Sequence, residues 1–533
     1  MDVVLLLFLT LSIRAELKNG VESRDERLAS DDNFENELEQ GYQMLKGVPN
    51  ADNTKELLGQ LHKMEPQIKQ ELILSPERKA ELQEEMKNYV EIENDHGQLM
   101  GQTIEEINLD TKVDRALFQG DILLTKEQAD EIIEDVKENK ANRSKRQAYR
   151  DSRYPNALWS NGVSYSFHWN ATHGARRVFR KATQIWQDET CINFFEDNTA
   201  SGRIVVFQGP GCYSNIGRIG GIQTLSLGPR CEQNGWISQF TKQSEHTNFN
   251  YNLTYDYGSI MHYGALSVSR NGQPVMVPRD MKYIQTLGTR VLSFYEKLMM
   301  NLHYKCLDKC KSESSAKCKN GGFPHPRDCS KCTCPSGYGG TLCDERVNRI
   351  SNKKTLTATT SYQTLEDTVG ERGARNAKDE FTMCHYWIKG PAGSTIEVIL
   401  DEFSHGVSND GCNYAGVEIK TGSDKRRTGY RFCSPRFAGT SLVSTHNIVP
   451  IITFSRLYEV KTVLRYRIAS TGTGAVDTET EGDETTPQPA KKPNKSCKDI
   501  NLCTKLLQWD FCNDDNYDDK FKKLACPKSC GFC

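Results

Sequence analysis

The apolar positions of this chain change rhythm several times, and the changes divide it. A first apolar run, Val3 to Ile13, is too short to span a bilayer. Residues 16–146 then scatter Leu and Ile among Glu, Lys and Gln with few aromatics, which predicts helices such as one over Ser75–Glu91. From Tyr149 to Cys306 the composition becomes that of a packed domain. Trp159, Tyr165 and Phe167 predict a strand. Ala175–Glu189 sets Val178, Phe179, Ala182 and Ile185 at helical spacing, an amphipathic helix to pack on it. Ile204–Phe207 and Ile222–Leu227 predict two more strands, the second with alternating faces, and the mixed order implies an α+β domain. Beyond residue 344, short apolar runs such as Ser394–Leu400 and Val463–Ile468 alternate with Gly and Asn turns, the pattern of a β-sandwich. Thr471–Lys495 is rich in Thr, Glu, Pro and Gly and reads as a flexible linker.

Cysteine adds a compartment to this picture. None of the 19 cysteines precedes Cys191. They then cluster: Cys191, Cys212, Cys231 and Cys306; Cys310, Cys318, Cys329, Cys332, Cys334 and Cys343; Cys384, Cys412 and Cys433; Cys497, Cys503, Cys512, Cys526, Cys530 and Cys533. Such density suits small disulfide-stapled modules in an oxidising compartment, since segments this short build little core. Residues 1–15 read as a secretory signal, with Asp2 in place of the usual basic residue. Arg143-Ser-Lys-Arg146 fits a proprotein-convertase site, so that a mature chain would begin at Gln147. Sequons at Asn170, Asn252 and Asn494 agree with a secreted surface. At a net charge of -2 no overall basic field argues for nucleic acid or an anionic membrane as partner, and no other segment approaches membrane-spanning length.

Three motifs carry chemistry: Phe118-Gln-Gly-Asp121, Gly217-Arg-Ile-Gly-Gly-Ile-Gln-Thr-Leu-Ser-Leu-Gly228, and Gly258-Ser-Ile-Met-His-Tyr263. On these the chain resembles the astacin family of metzincin zinc endopeptidases, in its multidomain nematode form. The resemblance implies a signal peptide (1–15), a propeptide (16–146), a peptidase domain (147–306), an EGF-like module (307–344), a CUB domain (345–470), a linker (471–496) and a ShK-like module (497–533). It further implies that Asp121 is the carboxylate that occupies the zinc in the latent enzyme. Met261 belongs to the turn beneath the metal, and Tyr263 is a zinc-facing phenol that steadies the oxyanion. Cys191 would pair with Cys306 and Cys212 with Cys231. The CUB-like region holds an odd number of cysteines; Cys384 and Cys412 are assigned to disulfides and the partner of Cys433 is left open. Substrates would be extracellular proteins, cuticle or matrix collagens by analogy, and strand Ile222–Leu227 would pair with their backbone.

The zinc-binding sequence H-E-x-x-H-x-x-G-x-x-H is missing from the chain. Two histidines four apart on one helical face pinch the metal, and the glutamate between them polarises the attacking water. None of the 11 histidines supplies that spacing; near the turn stand only His246, beside Glu245, and His262. After Cys231-Glu-Gln-Asn-Gly235 the chain passes straight to Trp236-Ile-Ser-Gln-Phe, which resembles a segment well beyond the third histidine. A stretch on the order of 45–50 residues is skipped at that join. The chain is therefore expected not to hydrolyse peptides as written, being a splice form or incomplete gene model of a zinc endopeptidase. The alternative is a non-catalytic secreted protein that binds through its CUB, EGF-like and ShK-like modules. Loss of the helix is also expected to leave residues 150–305 poorly folded or with an apolar groove open, because each large core deletion costs roughly 2–5 kcal/mol.

Overall fold

The computed structural model describes residues 24–93, 95, 104–137, 143–144, 148–150, 152–229, 231, 243–244, 248–267, 269, 272–310, 313–347, 354–374, 376–469, 512 and 528–530. The signal segment, Arg146, Gln147, the Gly235–Trp236 join, Glu245, His246, Asn494, Cys497, Cys503, Cys526 and Cys533 lie outside them. Contacts divide the chain into two units, residues 1–470 and 471–533. Of the second, the Cys512–Cys530 disulfide is described.

The N-terminal segment is helical: α1 (Arg24–Leu45), α2 (Ala51–Lys63), α3 (Glu65–Leu72), α4 (Pro76–Met86), α5 (Ile104–Thr111), the short strand β1 (Ile122–Leu123) and α6 (Lys126–Lys137). The helix read over Ser75–Glu91 is shorter, starting where the Ser75 side chain accepts from Arg78 N–H with Pro76 at the first position. Helix α6 buries Ala129, Ile132, Ile133 and Val136 along one stripe. Strand β2 (Arg143–Ser144) holds the first half of the basic stretch, and β3 (Ala148–Tyr149) follows it.

The next domain contains β4 (Val163–Phe167), α7 (His173–Glu189), β5 (Phe194–Glu196), β6 (Arg203–Phe207), β7 (Cys212–Asn215), β8 (Ile222–Leu227), β9 (Gln243–Ser244), β10 (Asn248–Phe249) and α8 (Phe294–His303). Its sheet has the order β1-β7-β8-β6-β4-β5. Strands β8, β6, β4 and β5 run parallel, and β7 is antiparallel to β8. The α+β class read from the sequence is the one found. Trp159 falls outside the strand assigned to it, in the turn before β4. Short antiparallel pairs hold the start of the basic stretch, β2 with β9, and the residues after it, β3 with β10.

Strand β8 is paired by β6 over Ile222–Ser226 on one side and by β7 over Leu225–Leu227 on the other. Over those last three residues this corrects the expectation that Ile222–Leu227 pairs with substrate. The outer strand is β7, and β1 of the N-terminal segment adds to it in parallel, Ile122 opposite Ser214 and Leu123 opposite Asn215. The helix over this sheet is incompletely covered. Ala182 is exposed, Ile185 is 41% exposed, and Ile204, Val205 and Phe207 of the central strand β6 stay half-buried. An interior strand under a full helical layer would be buried.

Disulfides join Cys191 to Cys306 and Cys212 to Cys231. Residues 310–346 form a small module held by Cys310–Cys329, Cys318–Cys332 and Cys334–Cys343, with hairpins β11 (Phe323–His325) to β12 (Asp328–Thr333) and β13 (Tyr338–Gly339) to β14 (Glu345–Arg346). The β-sandwich of the CUB-like region follows: β15 (Thr355–Thr357), β16 (Gln363–Val369), β17 (Thr382–Lys389), β18 (Ile396–Phe403), β19 (Ala415–Ile419), β20 (Tyr430–Phe432), β21 (Ser441–Val443), β22 (Ile448–Ser455) and β23 (Val460–Ile468). Its sheets are β15-β17-β22-β19-β20 and β16-β23-β18-β21. The described disulfide here is Cys412–Cys433, and Cys384 is 5% exposed on β17. That corrects the pairing expected in this region: Cys412 and Cys433 face each other with Cα atoms 5.5 Å apart, and Cys384 is outside their bond. Among the described residues no helix is long and apolar enough to cross a membrane.

Candidate functional site

The methionine turn is built by short polar side chains acting on nearby backbone. Gly258 N–H donates to the Asp256 carboxylate at 3.2 Å, and His262 N–H to the Ser259 carbonyl at 3.0 Å. The Ser259 hydroxyl donates to Glu296 at 2.6 Å and accepts from Met261 N–H at 3.1 Å. Glu296 belongs to the capping box of α8: it accepts from Ser293 N–H at 2.7 Å while the Ser293 hydroxyl accepts from Glu296 N–H at 3.3 Å. One carboxylate thus closes a helix N-terminus and holds the turn. Burial pushes it up to about 7, against the opposing pull of Ser259 and the Ser293 N–H.

Met261 is 42% exposed, His262 and Tyr263 only 1%. His262 Nδ1 lies 2.6 Å from the Tyr263 carbonyl, which can only accept, so Nδ1 carries the proton. Nε2 then takes the hydroxyl of Tyr255. With both ring nitrogens engaged, His262 has no lone pair to offer a metal. His303 is spent on the Tyr251 hydroxyl at 2.7 Å, and burial beside Arg150 lowers it to about 4. Among the described residues no group of three His, Cys, Asp or Glu could hold a metal ion. The described residues therefore do not fit a zinc site.

Asp121 sits elsewhere. Gln119 and Gly120 take left-handed φ of 53° and 79°, folding Phe118-Gln-Gly-Asp121 into a tight turn closed by paired Phe118 and Ile122 backbone bonds. Asp121 is 4% exposed, and its carbonyl accepts from Ser214 N–H on β7 at 3.1 Å. Beside it, buried Asn108 clamps the same strand: its amide accepts from Cys212 N–H at 2.8 Å and donates to the carbonyls of Cys212 and Gly120 at 2.8 and 2.7 Å. A Cβ on Gly211 would come within 2.4 Å of the Asn108 oxygen, so glycine is required there. The structure brings Asp121 to the sheet edge and Tyr263 into a core shared with the CUB sandwich.

That shared core is the largest feature the sequence did not reveal. Tyr263, Ala265, Val275, Met276, Ile284 and Leu287 pack in one cluster with CUB residues including Tyr414, Val417 and Phe432. The Asp410 carboxylate accepts from Ala265 and Leu266 N–H at 3.1 and 2.7 Å. Asp256 accepts from the N–H and hydroxyl of Thr428, both at 3.1 Å. Arg431 is buried in an ion pair with Glu418 at 2.9 Å, and its N–H donates to Thr286. Only the Asn409-Asp410-Gly411 turn chemistry marks this loop in the sequence, and it names no partner. Of the glycosylation candidates, Asn252 is exposed at φ 57°, while the half-buried Asn170 amide brackets the backbone of Gln208.

Comparison with known proteins completes the site. The sequence profile of the Astacin peptidase family matches in two pieces, residues 151–239 and 233–305. Zinc metalloproteinase nas-31 of Caenorhabditis elegans is 42% identical over 422 residues, covering 72% of this chain and 68% of its own length. Among solved structures, high choriolytic enzyme 1, a hatching-enzyme zinc protease of the medaka fish Oryzias latipes, aligns with 31% of this chain and 99% of its own at 22% identity, TM-score 0.24. The CUB1-EGF-CUB2 region of human MASP-1/3 aligns with 26% of this chain and 50% of its own at 21% identity, TM-score 0.17.

Proposed function

The chain belongs to the astacin family of zinc-dependent metallopeptidases, and on that premise we propose that it is a shortened form of a secreted endopeptidase, itself unable to hydrolyse peptides. One observation carries this reading. The family profile stops and restarts around the Gly235–Trp236 join, and the zinc motif belongs in the stretch skipped there. The half-covered β6 and the exposed Ile185 of α7 support it, as a sheet face that has lost part of its helical layer. When present, zinc acts as Lewis acid and activates water. Among the described residues of this chain, no set is left to bind it.

The longer form would be made as a zymogen, with residues 16–146 as propeptide, Asp121 as latency carboxylate and convertase cleavage after Arg146. Its substrates would be extracellular proteins, cuticle or matrix collagens among them. The EGF-like (307–344), CUB and ShK-like (497–533) modules would steer it to them. A second reading, a non-catalytic secreted binding protein, draws on one fact: Tyr263 is sealed in the core shared with the CUB sandwich rather than open to a cleft.

Full-length transcripts read across the codons for Gly235 and Trp236 test the proposal. An in-frame segment encoding the zinc motif in most transcripts is expected. The chain as written should then carry no stoichiometric zinc by mass spectrometry, while the longer form carries one and cleaves protein. The same join in every transcript would sink the enzyme reading and leave the binding protein.

A further inference from the structure

Between α4 and α5, the N-terminal segment crosses onto the CUB sandwich. Ile92 is 6% exposed and enters the shared hydrophobic cluster, and Tyr89 and Val90 pack against it. Polar contacts flank this apolar anchor. The Ser408 hydroxyl donates to the Glu93 carbonyl at 2.9 Å, Ser408 N–H donates to the Asp95 carboxylate at 2.8 Å, and Asp95 N–H returns a bond to the Ser408 carbonyl at 2.9 Å. Arg436 spans two acids, with Nε 2.6 Å from Glu93 and NH1 3.1 Å from Glu91, and the Ser434 hydroxyl adds a bond to Glu93 at 3.4 Å.

The receiving face is preformed. Ser408 is fully buried, and its loop is braced by Cys412–Cys433 and by Asp410, which holds the turn after Tyr263. Ser434 caps the short helical turn that presents Arg436, accepting from Arg436 N–H at 3.3 Å. A reciprocal pair of bonds between Asp95 and Ser408, an apolar anchor and a cation over paired carboxylates together form a peptide-recognition arrangement.

We infer that the CUB sandwich carries a peptide-binding face, built by Ser408, Ser434 and Arg436, whose ligand is this chain's own residues 89–93 and Asp95. The chemistry it reads is an apolar residue set between acids. The N-terminal segment is therefore held at two separate places, the edge strand β7 and the CUB face, and any process that strips it must open both. Two weak attachments on one chain hold better than either alone because the second is intramolecular. This inference does not depend on the chain being a protease.

Hydrogen exchange on the full chain tests it, read at Asp95 and Ser408 with the β1–β7 amides as an internal control. In the parent chain the Asp95 and Ser408 amides should be protected. Arg436→Glu should speed their exchange about tenfold, since it turns two attractions into repulsions. Ile92→Asp, on the ligand side, should do the same. Both variants should leave the β1–β7 amides protected. Adding Glu91→Arg and Glu93→Arg to Arg436→Glu should restore protection, which mere loosening of the sandwich would not allow. Open-chain exchange at Asp95 in the parent, or unchanged protection in both single variants, overturns the inference, and so does failure of the charge swap to rescue.

Discussion

Glu296 is the residue whose protonation the fold sets most clearly. Its carboxyl is pushed up from an ordinary 4.5 to about 7 by burial, because the hydrogen bonds from Ser259 and Ser293 do not fully replace lost water. Between those values the folded protein holds a proton that the unfolded chain has released. Its contribution to stability is thus complete below about pH 4.5, shrinks as pH rises, and is gone above about pH 7; it amounts to about 3 kcal/mol at most. His303 works in the opposite sense: lowered from 6.5 to about 4, it stays neutral when folded, and it costs stability as pH falls through that window. The clean measurement is the difference between parent and Glu296→Gln in urea unfolding from pH 4.5 to 7.5. The parent should lose stability relative to the variant as pH rises, and parallel curves would refute the assignment. The sequence named Met261, Tyr263 and Asp121 through motifs, since each lies in a local turn with its own residue pattern. It could not name Glu296, whose contact with Ser259 spans 37 positions.

Helix α7 shows what periodicity conveys and what it omits. Thr172 caps its start, and its apolar stripe was legible because 3.6-residue spacing is a local property. How deeply that stripe would be buried was not legible, for burial depends on a second layer elsewhere in the chain, and Ala182 and Ile185 remain exposed. The end of the helix is also finished from afar. Its last turn contains no basic residue of its own. The β11–β12 hairpin supplies one: Arg327 Nε donates to the carbonyls of Gln187 and Thr190, its NH2 to Ile192 O at 2.8 Å, and His325 Nε2 lies 2.8 Å from Asp188 O. The disulfide module thereby meets the orphan carbonyls and the negative pole of the helix. Arg327→Ala should cost about 1–3 kcal/mol in chemical denaturation, with faster exchange in the last turn of α7. Arg327→Lys should recover only part of this, because a compact ammonium lacks the planar spread of donors with which the guanidinium reaches three carbonyls. A variant as stable as the parent would mean that the hairpin merely lies beside the helix.

At the scale of the whole molecule, the sequence shows separate modules and the structure joins them. Composition and cysteine spacing mark where the CUB sandwich begins, but the cluster running from Ile92 through Tyr263 to Phe432 couples residues hundreds of positions apart. Pairing of the odd cysteine was illegible for the same reason. Spacing could not choose among Cys384, Cys412 and Cys433, whereas strand β17 buries Cys384 and the loop geometry joins the other two. That bond closes a loop across 21 positions, worth about 3 kcal/mol on the chain-entropy account. Just before it stands Asp410, which holds the turn after Tyr263, and inside it Asn413 donates to Gly288 O at 3.4 Å. Replacing both cysteines by serine should therefore weaken more than the sandwich. Because the two domains share buried apolar area, unfolding one exposes the core of the other, and calorimetry should show a single transition moved to lower temperature. A peptidase-like transition that stays in place while a separate CUB transition falls would show that the shared core does not couple them. The buried Tyr263 would then be a contact without thermodynamic consequence.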